Sequence, residues 1–189
     1  MADFINTIDV LGDEVVANSI IDKSIIEFND DLLSSIGGYA FYDCSKLTSI
    51  ELPNVTSIDL SAFSDCYALQ GIELPNVTSI GSNAFSNCSA LTSVNIPKAT
   101  SVGGSAFNNC KKLTSIDLPN VTSVGAFAFS NCSALTTVTF GAKPTKLYGT
   151  TFSSCSKLTT INVPWAEGEV ANAPWGATNA TINYNYTGG

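Results

Sequence analysis

Apolar positions along this chain recur with a period of about 22 residues. Phenylalanine, leucine and cysteine columns keep the same spacing, and the six cysteines stand at 44, 66, 88, 110, 132 and 155. Within one unit the apolar positions are Leu47, Ile50, Leu52, Val55, Ile58, Ala62, Phe63 and Cys66. This spacing fits neither a helical stripe of 3.6 residues nor a long two-residue alternation. It predicts a coil that turns several times per repeat.

Each repeat divides into three short legs. Leu-Thr-Ser-Ile-x-Leu is rich in β-branched residues and predicts one strand, which a proline closes at 53, 75, 97, 119 and 164. Val-Thr-Ser-Ile or Val-Thr-Ser-Val is a second extended leg. Glycine at 37, 81, 103 and 125 then allows a tight turn before Ala-Phe-x-x-Cys, which suits a 3₁₀ or short helical turn. Stacked in register, such coils form a repeat solenoid with short parallel β-strands.

The repeats need a cap at each end, because every coil contacts only its neighbours. We assign 1–27 to an acidic N-terminal cap, 28–163 to about six coils of 22–23 residues, and 164–189 to a C-terminal cap. Eight of the sixteen acidic residues lie within 1–31, which fits a solvated cap or a site for a cation or partner. Trp165 and Trp175 fit burial against the last coil or docking of a partner.

The unit LxxIxLPxVTSIGxxAFxxCxx resembles the BspA-type leucine-rich repeat over roughly 28–163. The resemblance implies a weakly curved solenoid with a parallel β-sheet on one face, and no shared catalytic residues. It also implies adhesion or binding, since members occur in bacterial surface proteins and in prophages. The segments INTIDVLGDEVVANSIIDKSI and VPWAEGEVANAPWGATNATINYNY resemble the caps of short members without a signal peptide, often carried by phage or prophage.

The cysteine column predicts buried free thiols. Neighbours in register hold their Cβ atoms near 4.8 Å apart, beyond the separation of about 3.5–4.5 Å that a disulfide needs. A metal site needs converging ligands, whereas a ladder places its thiols in a line. We therefore expect each cysteine to act as a small hydrophobe, with no metal and no cofactor bound. The residue before each cysteine is Asp, Asn or Ser, which can bond to turn backbone.

Charge and composition exclude several classes of function. The net charge is −8 and all eight cations are lysines, which argues against nucleic acid because phosphate binding needs clustered cations. Histidine, the commonest general base, is absent. Asp43 and Asp65 would be neighbours, but nothing nearby supplies a nucleophile or metal. We expect no catalytic residues, and no membrane insertion because no apolar run is long enough.

The candidate binding face is the outward side of the first leg. Two polar columns run along it, and its candidate residues are Ser49, Glu51, Glu73, Ser93, Asn95, Ser115, Asp117, Thr139 and Asn162. Solenoids bind partners through such extended faces, although the same columns also fit a merely solvated sheet. Candidate turn contacts are the tyrosines that replace small residues, namely Tyr39, Tyr42, Tyr67 and Tyr148.

The expected function is a non-enzymatic module that recognises a protein or a glycan on a cell surface. A tail-associated component of a phage or prophage virion is one setting for it. The alternative is a structural protein that forms homo-oligomers through its caps or sheet edges. The N-terminal segment shows no secretory signal. We therefore expect the cell surface or a virion by a route other than general secretion, or otherwise the cytoplasm.

Overall fold

The computed structural model describes Glu14–Val15, Glu27–Asn29 and 32–188. Apart from Glu14–Val15 and Glu27, the predicted acidic cap lies outside these residues. The described residues form fourteen short strands: Glu14–Val15 (β1), Glu27–Asn29 (β2), Ser35–Ile36 (β3), Ser49–Glu51 (β4), Ser57–Ile58 (β5), Gly71–Glu73 (β6), Ser79–Ile80 (β7), Ser93–Asn95 (β8), Ser101–Val102 (β9), Ser115–Leu118 (β10), Ser123–Val124 (β11), Thr137–Phe140 (β12), Thr160–Asn162 (β13) and Thr181–Asn183 (β14).

These strands form a parallel solenoid whose register follows the repeat. The second legs build one six-stranded sheet in the order β1-β3-β5-β7-β9-β11. The first legs build two four-stranded sheets, β2-β4-β6-β8 and β10-β12-β13-β14. Within the second-leg sheet, Ser57 pairs with Ser79 and Ile58 with Ile80, one repeat apart. The predicted fold class is confirmed: the protein is a leucine-rich-repeat solenoid with in-register parallel strands.

The interior consists of ladders of like side chains. The column phenylalanines are fully buried, and successive rings from Phe41 to Phe152 stack with centroids 4.9–5.7 Å apart. All six cysteines are free and buried, as predicted. Each thiol from Cys66 onward donates to the carbonyl of a phenylalanine in the preceding coil, as Cys110 Sγ does to Phe85 O at 3.3 Å.

The third leg is a chain of hydrogen-bonded turns, and no helix is assigned within the described residues. Cys88 N–H donates to Phe85 O at 3.2 Å, and the third residue of that turn, Asn87, has φ 62°. Every residue before a column cysteine shares this left-handed conformation, with φ between 59° and 66°. Asn and Asp tolerate this region best, which explains the column. Their side chains also bond between coils, since Asn109 Nδ2 donates to Asn87 Oδ1 at 2.9 Å.

The C-terminal segment closes the last coil. Its strand β14 pairs with β13 in register. Trp165 and Trp175 are both buried, with ring centroids 6.2 Å apart in an edge arrangement, and Trp165 meets Phe140 at 5.5 Å. The two indoles therefore extend the apolar interior beyond Phe140.

Candidate binding face

The outward columns of the first-leg sheet carry short polar side chains, because alternate residues of a strand point to opposite sides. In β4 the central Ile50 is buried, whereas Ser49 and Glu51 on either side of it are exposed. The remaining candidates that are also exposed are Glu73, Ser93, Asn95, Ser115 and Asp117. Thr139 is half-buried. Most of the candidate residues therefore share one accessible surface.

Asn162 departs from the expectation that it is exposed. Only 8% of its surface is accessible, because β14 pairs against its strand and Asn183 lies over it. Asn183 Nδ2 donates to Asn162 Oδ1 at 2.8 Å, and Asn162 Nδ2 donates to Thr139 Oγ1 at 3.3 Å. Its amide is occupied on both sides, so we withdraw Asn162 from the candidate face.

The sheet face opens into a cleft between β8 and β10, which are not hydrogen-bonded to each other. The cleft has a volume of about 160 Å³ and lies between Ser93–Asn95 on one side and Ser115–Asp117 on the other. Val94 is half-exposed, whereas Ile72 and Ile116 in the same column are only 2% exposed. The missing ladder bonds therefore expose a small apolar floor between polar walls.

Three polar side chains at this cleft make no hydrogen bond within the described part of the chain: Ser93, Ser115 and Asp117. Asn95, by contrast, donates its Nδ2 to Glu73 Oε2 at 2.6 Å. Along this outward column, a side-chain hydrogen bond between coils joins Glu73 to Asn95, and such bonds resume beyond the cleft at Thr139. The groups between them are left to bond with solvent or a ligand.

Three of the four candidate tyrosines lie together on the turns of the first coils. Tyr39 and Tyr42 meet edge to face with ring centroids 5.9 Å apart, and Tyr67 Oη donates to Asp65 Oδ1 at 3.0 Å. The negative charge of Asp65 raises the pKa of Tyr42, because ionising the phenol would place two negative charges side by side. Tyr148 is not part of this cluster; it is half-buried, with Lys146 Nζ 4.3 Å from its ring centroid.

Among the exposed apolar side chains that the sequence reasoning missed are two within the repeats, Leu60 at 38% and Phe127 at 46% exposure. Each stands where neighbouring coils carry Ser, Gly, Ala or Asn. That departure from the repeat, the same signal that singled out the tyrosines, could have identified them.

The described residues show no arrangement of three or more Cys, Asp or Glu side chains that could hold a metal ion. Across the same part of the chain, no helix has the length and hydrophobicity to span a membrane.

A sequence profile of the BspA-type leucine-rich repeat region, built from six copies, matches residues 10–119 and 78–172. These matches span most of the solenoid. The chain belongs to the BspA-type leucine-rich repeat family.

Solved structures of two bacterial proteins are similar to this BspA-type chain. A leucine-rich-repeat protein of T. pallidum is 32% identical over 77% of this chain and 71% of its own length, with a TM-score of 0.69. A leucine-rich cell surface protein of Faecalibacterium prausnitzii A2-165 is 24% identical with a TM-score of 0.59, which shows the shared fold. The match covers 79% of this chain but 50% of that protein, so the chain spans about half of its length. A comparison with curated proteins finds no match.

Proposed function

We propose that this BspA-type protein is a recognition module that binds a partner on a cell surface through its first-leg sheet face. The observation that carries the proposal is the contrast between two kinds of column. Interior columns repeat the same side chain from coil to coil, while the outward columns vary among Ser, Gly, Thr, Glu, Asp and Asn. Packing explains the interior columns, and the outward ones are the positions where specificity would be encoded.

Two further observations support binding rather than catalysis. The cell-surface description of the Faecalibacterium prausnitzii protein, which shares the fold, fits an adhesive role. Leucine-rich-repeat solenoids are typically non-catalytic. A partner that lies along several coils would bury a large area, within which a few residues would carry most of the affinity.

The test is binding of the fluorescently labelled full chain to intact bacterial and epithelial cells. The double variant Ser49→Lys/Glu51→Lys places two long cations on the face. Its matched control, Ser133→Lys/Glu167→Lys, makes the same charge change at exposed positions outside the first-leg strands. We expect saturable binding that falls at least about tenfold in the face variant and is retained in the control. Equal binding by both variants, or no saturable binding by the parent, would reject the proposal.

Treating the cells with protease or periodate distinguishes a protein partner from a glycan. A narrower form of the proposal places the module on a phage or prophage virion. That form predicts that the chain co-purifies with virions in a density gradient. Absence of the chain from the virion fraction would reject this narrower form.

Assembly into homo-oligomers is the alternative, and β14 is the observation that favours it. This strand ends its sheet, and within the described residues only β13 pairs with it. An open strand edge can pair with another chain. Light scattering after size exclusion decides between the two, because assembly requires a mass above the 19.8 kDa of one chain.

A further inference from the structure

The cleft between β8 and β10 coincides with a departure from the repeat. Where other coils read Leu-Pro-Asn-Val after the first strand, this coil reads Ile-Pro-Lys-Ala at 96–99. The buried Ala99 stands in the column that Val77 and Val121 fill. Two methyl groups are therefore missing from the interior of the coil that carries β8.

Among the described coils, the repeated pair of hydrogen bonds to the threonine or glutamine carbonyl before the first strand is absent between Thr114 and Thr92. At the step before it, both the amide and the hydroxyl of Thr92 donate to Gln70 O at 2.8 Å. At the step after it, Thr136 makes the same pair of bonds to Thr114 O at 2.8 and 3.0 Å. Thr114 makes neither bond to Thr92 O. Backbone polar groups at the cleft are thus left without their repeat partner, and such groups favour a ligand or water.

The rest of the solenoid stays closed behind the cleft. The second-leg strands β9 and β11 pair in register, and Phe85 stacks on Phe107 with ring centroids 5.2 Å apart. A peptide strand inserted between β8 and β10 would need two strand spacings of about 4.8 Å, which the closed coils do not leave. The cleft therefore suits a compact group.

The lining identifies the chemical class of that group. Asp117 offers a carboxylate acceptor, Ser93 and Ser115 offer hydroxyls, and Asn95 retains its Oδ1 as an acceptor because its Nδ2 is bonded to Glu73. Val94 presents an apolar floor, and the rings of Pro97 and Pro119 also line the cleft. An anion would meet the charge of Asp117, and a purely apolar ligand would leave these acceptors unpaired.

The volume of the cleft further limits which ligands it can hold. The volume of about 160 Å³ is below the roughly 300–1,000 Å³ of pockets for drug-sized ligands. It is well above the roughly 10–15 Å³ that one water needs. A single polyhydroxylated ring fits these limits, since its hydroxyls can donate to the acceptors and its C–H groups can contact the valine and prolines.

We propose that the β8–β10 cleft binds one neutral sugar residue of a glycan. The proposal rests on the proposed function in that the cleft lies on the same face, and it assigns that face a carbohydrate subsite.

The test is an NMR titration of the isotopically labelled full chain with methyl glycosides of glucose, galactose, mannose, fucose and N-acetylglucosamine. Glucuronate tests the effect of charge, and cyclohexanol tests an apolar ring of similar size. We expect at least one neutral glycoside to shift the amides of 93–96 and 115–118 with a Kd on the order of 1 mM. Glucuronate and cyclohexanol should bind at least about tenfold more weakly.

Two variants localise the effect. Ser115→Tyr fills the cleft, and Thr137→Tyr makes the same change one coil further along the same column. We expect a loss of at least about tenfold in affinity for the first and parental affinity for the second. Asp117→Asn keeps the shape and removes the charged acceptor, so it weakens binding even if the tyrosine variant fails to fold.

Shifts that persist in Ser115→Tyr, or no shift with any neutral glycoside up to about 50 mM, would overturn the proposal. This failure is distinct from failure of the proposed function. If the Ser49→Lys/Glu51→Lys variant loses cell binding while no glycoside binds, the recognition face stands and the sugar subsite falls. If a glycoside binds while the parent binds no cells, the subsite stands and the cell-surface function falls.

Discussion

Most side chains inside this solenoid pack against the same type of residue from the adjacent coils. The phenylalanine rings lie within 3–17° of parallel, an arrangement that in-register stacking imposes on the whole column. The cysteine thiols are likewise packed against thiols of adjacent coils. Burial raises the pKa of Cys88 and of Cys110, because a thiolate at either position would lose its hydration without gaining a countercharge.

This burial predicts that stability falls as the pH rises above about 8.5. In the unfolded chain a thiol ionises near that pH, whereas in the folded protein Cys88 and Cys110 stay protonated at higher pH. The unfolded state then binds fewer protons than the folded one, so the free energy of unfolding decreases with pH. Each such thiol contributes up to about 1.4 kcal/mol per pH unit, and the stability is fully present below the unfolded pKa.

Urea unfolding at pH values from about 7.5 to 9.5 measures this slope before tyrosine and lysine ionise. Cys110→Ala should flatten the profile, because it removes one of the groups responsible. An identical slope in that variant would show that other groups cause the loss. A thiol reagent gives an independent check, since six thiols should react in urea and none in the folded protein.

At the scale of the elements, the turns bring the backbones of successive coils into close contact. A Cβ placed on Gly103 would lie 2.5 Å from Ser82 N and 2.6 Å from Gly81 C. Gly81 and Gly125 make similarly close approaches to the coils before them. The described residues give none of these three a positive φ, so they are required for space rather than for an unusual backbone conformation.

Gly103→Ala should therefore destabilise the protein by about 2–4 kcal/mol, because two backbone segments must separate to admit one methyl group. Gly149→Ala is the matched control, since a Cβ there meets nothing within 4 Å. That change should be neutral or mildly stabilising by reducing the freedom of the unfolded chain. Thermal and urea unfolding of both variants test the difference, and a Gly103→Ala protein as stable as the control would contradict it.

The repeat pattern predicted the strands, their register, the interior columns and the buried thiols, because these depend on which residues recur. It could not predict the cleft, which depends on one missing pair of hydrogen bonds between Thr92 and Thr114. It also missed the burial of Asn162, because that residue is covered by β14, whose Thr-Ile-Asn repeats the sequence of β13 within a segment that was assigned to a cap. The glycine column was predicted to allow tight turns. Its second role, which is to leave room for the backbone of the adjacent coil, depends on contacts that sequence alone does not reveal.

For the molecule as a whole, the ends are where the repeat can no longer stabilise itself. Within the described residues β14 pairs only with β13, so the segment 164–189 packs on the coil before it. Trp175 is fully buried and Trp165 is 4% exposed. Trp175 Nε1 donates to Ala171 O at 2.8 Å, whereas Trp165 Nε1 is buried with no partner within the described residues. The two indoles thus pack at the same end, but only the N–H of Trp175 is hydrogen-bonded within the described residues.

This difference in hydrogen bonding predicts that replacing each tryptophan by phenylalanine changes the stability by a different amount. Trp175→Phe and Trp165→Phe each remove part of an indole and leave a cavity in the cap. The first change also breaks a hydrogen bond, while the second removes a buried N–H whose desolvation is uncompensated. We expect Trp175→Phe to be less stable than Trp165→Phe by about 1–3 kcal/mol. Urea unfolding followed by circular dichroism measures both without relying on tryptophan fluorescence. The opposite order would mean that the Trp165 indole finds a bonding partner in solution, such as an ordered water, and that the cap is fully satisfied.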